Sequence, residues 1–357
     1  MINESEIIET ILLSVVVTSH QQQEQLRRCI DSILAMRIDY PYEIIVSDDR
    51  SNDGTYELAL EYASKVKAGV YASNGLVRII ATQCNSDECN PGNNSDRCGF
   101  NKCNGFKLTS GKYFTFVDAD DYFRDGSDVY YKQIQALEKH PECVLSMSNY
   151  IYINDGECIT DENKVQLPRV LIDGEVITAN DFIENFFFHL NQAFMMRKDS
   201  MVDPIILYGK EFNDTVVTYH YLQFGSIVFA DACDYVYIQY NNSITGSMTQ
   251  TNQDRKIMWC LPLCISALVP KWRNTFIRLG YGPIRDVLNM AKSDYILQKK
   301  NYISVQCFHM WIYECLGRHK TIYDKIRIKM CRYWQYIQKR YNWYGNVGCW
   351  IMWSLLK

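Results

Sequence analysis

The 357-residue chain has 47% hydrophobic and 22% charged residues, which are ordinary proportions for a globular protein. They exclude a disordered, collagen-like or coiled-coil chain as an overall description. The net charge of −4 hides an uneven distribution, because residues 1–252 carry 19 basic and 36 acidic side chains while residues 253–357 carry 18 and 5. All 7 tryptophans also fall in the second part. The sequence therefore predicts an acidic body followed by a basic, aromatic region.

Strand and helix patterns alternate through the first part of the chain. Runs rich in β-branched and aromatic residues predict buried strands at residues 12–18, 42–47, 77–81 and 113–117. Apolar residues at helical spacing predict helices around residues 26–34, at 55–66 and at 103–109. This alternation predicts an α/β fold with a mostly parallel central sheet and helices on both faces.

From about residue 250 the pattern changes to long helical stretches. We therefore predict one α/β domain over residues 1–250 and a mostly helical, basic, Trp-rich region over residues 251–357.

Polar residues follow three of the predicted strands, and in parallel sheets ligands bind beyond these carboxyl ends. Thr18 and His20 follow the first strand, Asp49 the second, and Asp118 and Asp120 the fourth. Two carboxylates at a strand-to-loop junction can converge on Mg²⁺ or Mn²⁺, which prefer oxygen ligands. The alternative interpretation is a solvated acidic turn that caps the next helix.

These blocks, in this order and spacing, resemble family 2 glycosyltransferases of the GT-A fold, a Rossmann-like arrangement. The resemblance covers roughly residues 11–250 and rests on residues 14–20, 29–34, 42–55 and 105–121. It implies a metal-dependent, inverting enzyme that moves a sugar from a nucleotide-diphosphate sugar, UDP-linked, to an acceptor hydroxyl. It also implies a place in the synthesis of a bacterial surface polysaccharide or glycan.

The resemblance assigns roles to the residues at the strand ends. Thr18, His20 and Asp49 would line the nucleoside pocket, with Asp49 accepting a hydrogen bond from a uracil-type base edge. Asp118 would lie near the ribose and the metal, and Asp120 would bind Mn²⁺ or Mg²⁺ on the diphosphate.

The chain departs from the family pattern at several positions. Lys102 and Cys103 stand where many relatives have Arg-Asn; Lys102 keeps a positive charge that can meet a phosphate, but Cys103 lacks the amide. Arg50 stands where a glycine often follows the first acidic pair. With Asn213, which replaces a glutamate, these departures support an alternative function: a non-catalytic nucleotide- or sugar-binding partner in a polysaccharide assembly complex. The third candidate function, that of a nucleotidyltransferase, is the least favoured of the three, because the chain lacks a glycine-rich basic loop near the first strand.

The catalytic base is predicted in the second half of the domain. Residues 211–225 resemble the family block in which an acidic residue precedes a helix, and Asp214 is the candidate that removes the proton of the acceptor hydroxyl. The alternative is that Asp214 is the N-cap of that helix, a role that one residue could combine with catalysis.

Four cysteines cluster between the third strand and the third helix: Cys84, Cys89, Cys98 and Cys103. Their spacings are wider than the CxxC pairs of most zinc sites. We expect ordinary free thiols rather than a metal cluster.

No run of about 18 apolar residues exists, and the N-terminus is acidic where a signal peptide needs positive charge. We therefore expect a cytoplasmic protein.

From about residue 320 an apolar stripe is accompanied by Lys325, Arg332 and Lys339, seven residues apart. This segment is predicted either to lie on the inner face of the plasma membrane, near a lipid-linked acceptor, or to pack on the acidic body. The expected partners are thus a nucleotide-sugar donor, a glycan or lipid-linked acceptor and a membrane surface, but no nucleic acid.

Overall fold

The computed structural model describes residues 11–71, 75–85, 94–186, 193–198, 214–241 and 270–272, together with Thr275. The chain divides into two compact units, Met1–Ser247 and Met248–Lys357. The predicted C-terminal helices lie outside the described residues. Within the described ranges, no helix is both long enough and apolar enough to cross a membrane.

The described elements follow the predicted alternation. The strands are β1 (Leu13–Ser19), β2 (Tyr42–Asp48), β3 (Leu76–Gln83), β4 (Tyr113–Asp118), β5 (Tyr122–Phe123), β6 (Cys143–Met147), β7 (Tyr150–Asn154), β8 (Val176–Ile177), β9 (Phe194–Arg197), β10 (Ser226–Phe229) and β11 (Tyr235–Gln239). The helices are α1 (Gln23–Ala35), α2 (Thr55–Lys67), α3 (Asn94–Phe106), α4 (Val129–Lys139), α5 (Ala179–Asp181, continued by a π-helical turn over Phe182–Phe186) and α6 (Asp214–Tyr221).

The central sheet has eight strands in the order β3-β2-β1-β4-β9-β6-β10-β8. Six of them are parallel, while β9 and β8 run antiparallel to their neighbours. The prediction of a mostly parallel α/β sheet is confirmed. A smaller sheet, in the order β5-β11-β7, takes its first strand directly from the loop after β4.

Alternate residues of β1 enter two different cores. Val15 and Val17 pack with Leu26 and its neighbours on α1. Val16 points to the opposite face, where α3 passes so close that a Cβ atom on Gly105 would lie 2.5 Å from Val16 Cγ1. Strands covered on both faces must be apolar at nearly every position, which is why β1 reads as a continuous hydrophobic run.

Helix α3 differs from its prediction. It was expected over residues 103–109 but extends from Asn94 to Phe106, so it begins nine residues earlier and ends three residues earlier. Its sequence is rich in Asn, Gly and Ser, which favour loops over helices. Tertiary packing overrides this preference, because the helix buries Asn101, Lys102 and Cys103 against the sheet.

A buried carboxylate organises the edge of the sheet where β1 and β2 begin. Glu43 has no exposed surface and accepts hydrogen bonds from Ser14 Oγ at 2.6 Å and from the Ser110 N–H at 2.7 Å. Arg78 Nη2 lies 2.8 Å from its second oxygen. Ser14 Oγ in turn accepts from the Gly111 N–H at 2.9 Å. This network joins β1, β2, β3 and the loop before β4.

Candidate active site

The carboxyl ends of β1 and β4 bring Thr18 and Asp118 together. The two residues are partners in the parallel pairing, and Thr18 Oγ1 donates a hydrogen bond to Asp118 Oδ1 at 2.9 Å. Lys102 Nζ, from α3, lies 3.3 Å from the same carboxylate oxygen. The Lys102 side chain is only 2% exposed, and a buried cation requires such a partner. Three residues predicted for the site therefore form one contact group.

Asp120 lies in the tight loop that follows β4. The Ala119 N–H donates to the Thr18 carbonyl, and the Asp121 N–H donates to the Asp118 carbonyl, each at 2.9 Å. Burial and the charge of Asp118 raise the pKa of Asp120 to about 6. The loop therefore holds two carboxylates whose mutual repulsion a cation would relieve.

The donor set fits a divalent cation that is shared with a substrate. Among the residues that the structure describes, no group of three or more His, Cys, Asp or Glu side chains is arranged to hold a metal ion. Magnesium, however, commonly binds one or two protein carboxylates and completes its shell with water and substrate phosphate oxygens. Asp118 and Asp120 would supply the two carboxylates, and a diphosphate would supply further oxygens.

Asp121 has a different surrounding from its two acidic neighbours. It is 1% exposed, and its carboxylate accepts hydrogen bonds from the Tyr235 hydroxyl and from the Ile238 N–H, the latter at 3.1 Å. Burial, followed by the charges of Asp120 and Asp118, raises the pKa of Asp121 well above its usual range. Asp121 thus anchors the loop to β11 of the smaller sheet.

His20 and Asp49 lie side by side at the ends of β1 and β2. The Asp49 N–H donates to the Ser19 carbonyl at 3.0 Å, and the Asp49 side chain is buried. His20 Nδ1 is 2.7 Å from the Asp49 carbonyl oxygen. Because a carbonyl only accepts, Nδ1 must carry the proton, which leaves Nε2 as an acceptor in the neutral ring.

Asn101 and Cys84 belong to this region but were missed as site residues. Asn101 Nδ2 donates to the Ser19 carbonyl at 3.0 Å. Cys84 Sγ lies 3.4 Å from Asn101 Oδ1 and 3.8 Å from Asp49 Oδ1. Although Cys103 lacks the family amide, α3 still places an amide at the end of β1. An asparagine in a segment that reads as a loop gives no signal for this role.

The cysteine cluster does not form disulfides among its described members. Cys84, Cys98 and Cys103 are not joined to one another, and Cys89 lies outside the described residues.

The loop after β2 explains why glycine suits the position where this chain has Arg50. Asp48 is fully buried and accepts hydrogen bonds from the Ser51 N–H at 2.9 Å and from Gln83 Nε2 at 3.1 Å. The turn that these bonds close gives Arg50 a φ of +48°, in the left-handed region. Glycine adopts that region without a steric penalty, which is a physical reason for glycine at this position.

Two substitutions test this loop geometry. Gly54 has a φ of +92°, and an added Cβ would lie 2.4 Å from Gln23 Nε2. Gly54→Ala is expected to lower the free energy of unfolding by about 1–2 kcal/mol or more. Arg50→Gly is expected to change it by less than about 1 kcal/mol, because relief of backbone strain is offset by greater freedom of the unfolded chain. Urea unfolding measures both changes.

Gly126→Ala is the matched control, because Gly126 has a φ of +73° but nothing within 4 Å of its added Cβ. The difference between Gly54→Ala and Gly126→Ala isolates the crowding at Gln23. A Gly54→Ala protein as stable as the unmodified chain would contradict this loop conformation.

The predicted base is only partly described. Helix α6 begins at Asp214, but the side chain of Asp214 and the whole of Asn213 lie outside the described residues. The helix packs on the face of the sheet that also carries α3, since the Tyr221 ring lies 5.8 Å from the Phe114 ring. Asp214 stays a prediction.

Residues 14–202 match the sequence model of the family described as Glycosyl transferase family 2, which covers more than half of the chain. The chain belongs to this family. The resemblance drawn from the strand-end motifs is thereby confirmed.

Two proteins are similar in sequence to this member of family 2, and one solved structure is similar in fold. An uncharacterized protein of Mycobacterium tuberculosis is 30% identical over 36% of this chain and 32% of its own length. The poly(ribitol-phosphate) beta-N-acetylglucosaminyltransferase TarP of Staphylococcus aureus is 25% identical over 57% of this chain and 54% of its own length. The aligned regions thus span about a third and about half of these two relatives.

A solved structure, that of S. aureus TarS 1-349 in complex with UDP-GlcNAc, is similar in fold. It has a TM-score of 0.51 and 13% sequence identity, and the match covers 86% of this chain and 80% of that one. It supports the fold, including the GT-A-type central sheet.

Proposed function

We propose that this chain transfers a sugar from a UDP-sugar to an acceptor hydroxyl, with a divalent metal ion and with inversion at the anomeric carbon. The observation that carries the proposal is the pairing of Asp118 with Thr18 and Lys102, followed at once by Asp120. This group lies at the sheet edge where parallel α/β folds bind ligands. The names of TarP and of the TarS complex support an N-acetylglucosamine-type UDP donor as the first one to test.

Each donor-binding residue has a role that its contacts support. Asp118 and Asp120 would hold Mn²⁺ or Mg²⁺ against the diphosphate, and the ion, when bound, would stabilise the charge of the departing UDP. Lys102 holds Asp118 in place and keeps positive charge beside the phosphates. Asp49 would accept a hydrogen bond from the uracil edge, while Thr18 and His20 line the nucleoside pocket.

The acceptor must lose a proton as its oxygen attacks the anomeric carbon. Asp214, at the start of α6, is the proposed general base. TarP is named for poly(ribitol phosphate), and the corresponding proposal here is a hydroxyl of a bacterial surface polymer or of a lipid-linked glycan. Attack from the face opposite the diphosphate converts an α-linked donor into a β-linked product.

The function is tested by incubating the full-length protein with UDP-GlcNAc or UDP-glucose, Mn²⁺ and a panel of polyol-phosphate and glycan acceptors. Release of UDP that depends on both acceptor and metal is the expected result. Metal-dependent UDP binding without release for any acceptor would favour the non-catalytic partner. No UDP binding in the presence of Mn²⁺ or Mg²⁺ would contradict the proposed function.

The basic C-terminal segment is proposed to bind an anionic membrane surface. Its positive charges and tryptophans are the sequence features that support this, and its structure lies outside the described residues. Full-length protein is expected to sediment with anionic vesicles at low salt, to be partly released by high salt, and to lose binding when truncated before residue 320. Neutral vesicles are the control. The segment packs on the catalytic domain instead if truncation unfolds that domain, or if the full-length protein does not sediment with anionic vesicles at low salt.

A further inference from the structure

Arg28, on α1, makes three contacts around the loop that carries Asp120. Its Nη2 donates a hydrogen bond to the main-chain carbonyl of Asp120 at 2.7 Å and lies 3.2 Å from the Tyr240 hydroxyl. Its guanidinium carbon lies 4.7 Å from the centre of the Tyr122 ring. An exposed arginine on a helix surface ordinarily makes weak and interchangeable contacts. This one joins α1, the loop after β4 and the end of β11.

The other parts of the loop have their own anchors. The Ala119 and Asp121 N–H groups bind the carbonyls of Thr18 and Asp118. The Asp121 carboxylate is fixed to β11. The peptide group that follows Asp120 is held by Arg28. This hydrogen bond restrains the backbone from which the Asp120 carboxylate projects.

We propose that Arg28 is a positioning residue that orients Asp120 for the divalent cation by fixing the Asp120 carbonyl against α1 and Tyr240. The inference rests on the proposed metal-binding role of Asp120. Outer partners that orient metal ligands commonly contribute about 10- to 100-fold to metal affinity. Arg28 contacts neither the metal nor the sugar in this role.

The chemistry of arginine suits this position better than that of lysine. The planar guanidinium can donate to two oxygens and stack on an aromatic ring at the same time, as it does with Asp120, Tyr240 and Tyr122. A lysine at this position would keep the charge and one hydrogen bond but not the flat contact with Tyr122. Arg28→Lys should therefore restore part of what Arg28→Gln loses.

The experiment measures Mn²⁺ binding to the full-length protein with saturating UDP, by titration of the Mn²⁺ electron paramagnetic resonance signal. Arg28→Gln is expected to weaken Mn²⁺ binding about tenfold, and Arg28→Lys by less. In the transfer assay, Arg28→Gln is expected to raise the KM for Mn²⁺ by the same factor, while kcat at saturating Mn²⁺ stays within about twofold of the unmodified enzyme.

Arg27→Gln is the matched control. Arg27 is the preceding residue on α1 and is also exposed, but its charge acts on Glu61 and Tyr62 of α2 rather than on the loop that carries Asp120. Arg27→Gln removes one positive charge from the same helix, as Arg28→Gln does, and is expected to leave Mn²⁺ affinity unchanged. An equal effect of both variants would mean that helix charge alone matters and would overturn the proposal.

The remaining outcomes separate this inference from the proposed function. If the unmodified protein shows no metal-dependent UDP binding, the proposed function fails and the inference fails with it. If the unmodified protein binds and Arg28→Gln binds Mn²⁺ equally well, the inference alone is overturned.

If Arg28→Gln does not fold, Tyr240→Phe is the variant to measure, because it removes the hydroxyl next to the guanidinium. A measurable loss of Mn²⁺ affinity in Tyr240→Phe supports the proposal, and unchanged affinity overturns it.

Discussion

Asp120→Asn is expected to abolish metal-dependent UDP binding, with a loss beyond the roughly 100-fold that removal of an outer partner can cause. The amide keeps the shape of the side chain but loses the charge that a hard divalent cation requires. The fold should not suffer, because burial and the charge of Asp118 already disfavour the ionised form of Asp120. Calorimetric titration with UDP, with and without Mn²⁺, measures the effect, and thermal unfolding checks the fold.

Asp125→Asn is the control for this substitution. Asp125 lies just beyond β5 and is exposed, so the variant removes a nearby carboxylate that has no proposed contact with the metal. It should bind UDP and Mn²⁺ as the unmodified protein does. Unchanged Mn²⁺ dependence in Asp120→Asn would refute the metal site, and equal losses in both variants would reduce it to a general effect of negative charge.

Asp214→Asn is expected to lower turnover by about a hundredfold or more, with nearly unchanged affinity for the donor. Asparagine caps helices about as well as aspartate does, so α6 should keep its start. A neutral amide, however, cannot accept the proton of the attacking hydroxyl. The measurements are kcat at saturating donor and acceptor, and UDP binding by calorimetry.

A helix-capping role alone would give a different result. Asp128 precedes α4 and pairs with Lys132 at 3.1 Å, so Asp128→Asn removes a carboxylate at the start of another helix. This control should keep full turnover. If Asp214→Asn retains most of its activity, the base lies elsewhere in the chain.

The parts of the fold that local pattern determines were predictable. Strands β1, β2 and β4 lie within one residue of their predicted bounds, because buried strands need unbroken apolar runs and polar residues mark their ends. The same logic brought Thr18 and Asp118 into one site before their pairing was known. Helix α1 was predicted from its apolar face, which is buried in the structure.

The parts that long-range contacts determine were not predictable. Helix α3 has a loop-like sequence and depends on the packing of Gly105 against Val16. Strand β9 is a four-residue run whose antiparallel pairing with β4 has no local signature. Lys102 was expected to meet a phosphate, but its contact with Asp118 arises from the placement of α3 over β4. Arg28 reads as an ordinary helix-surface residue until Tyr240 is placed beside it.

The buried Glu43 network has a consequence for how such an enzyme can change. It locks together the beginnings of β1 and β2 and the loop before β4, whereas every proposed donor contact lies at the other ends of the strands. The nucleotide pocket around Asp49 can therefore change without breaking this network, although Asp118 and the buried Lys102 have to change together. Substitutions at Glu43 should be selected against whatever the donor is, whereas the residues around Asp49 and Cys84 can vary with the donor.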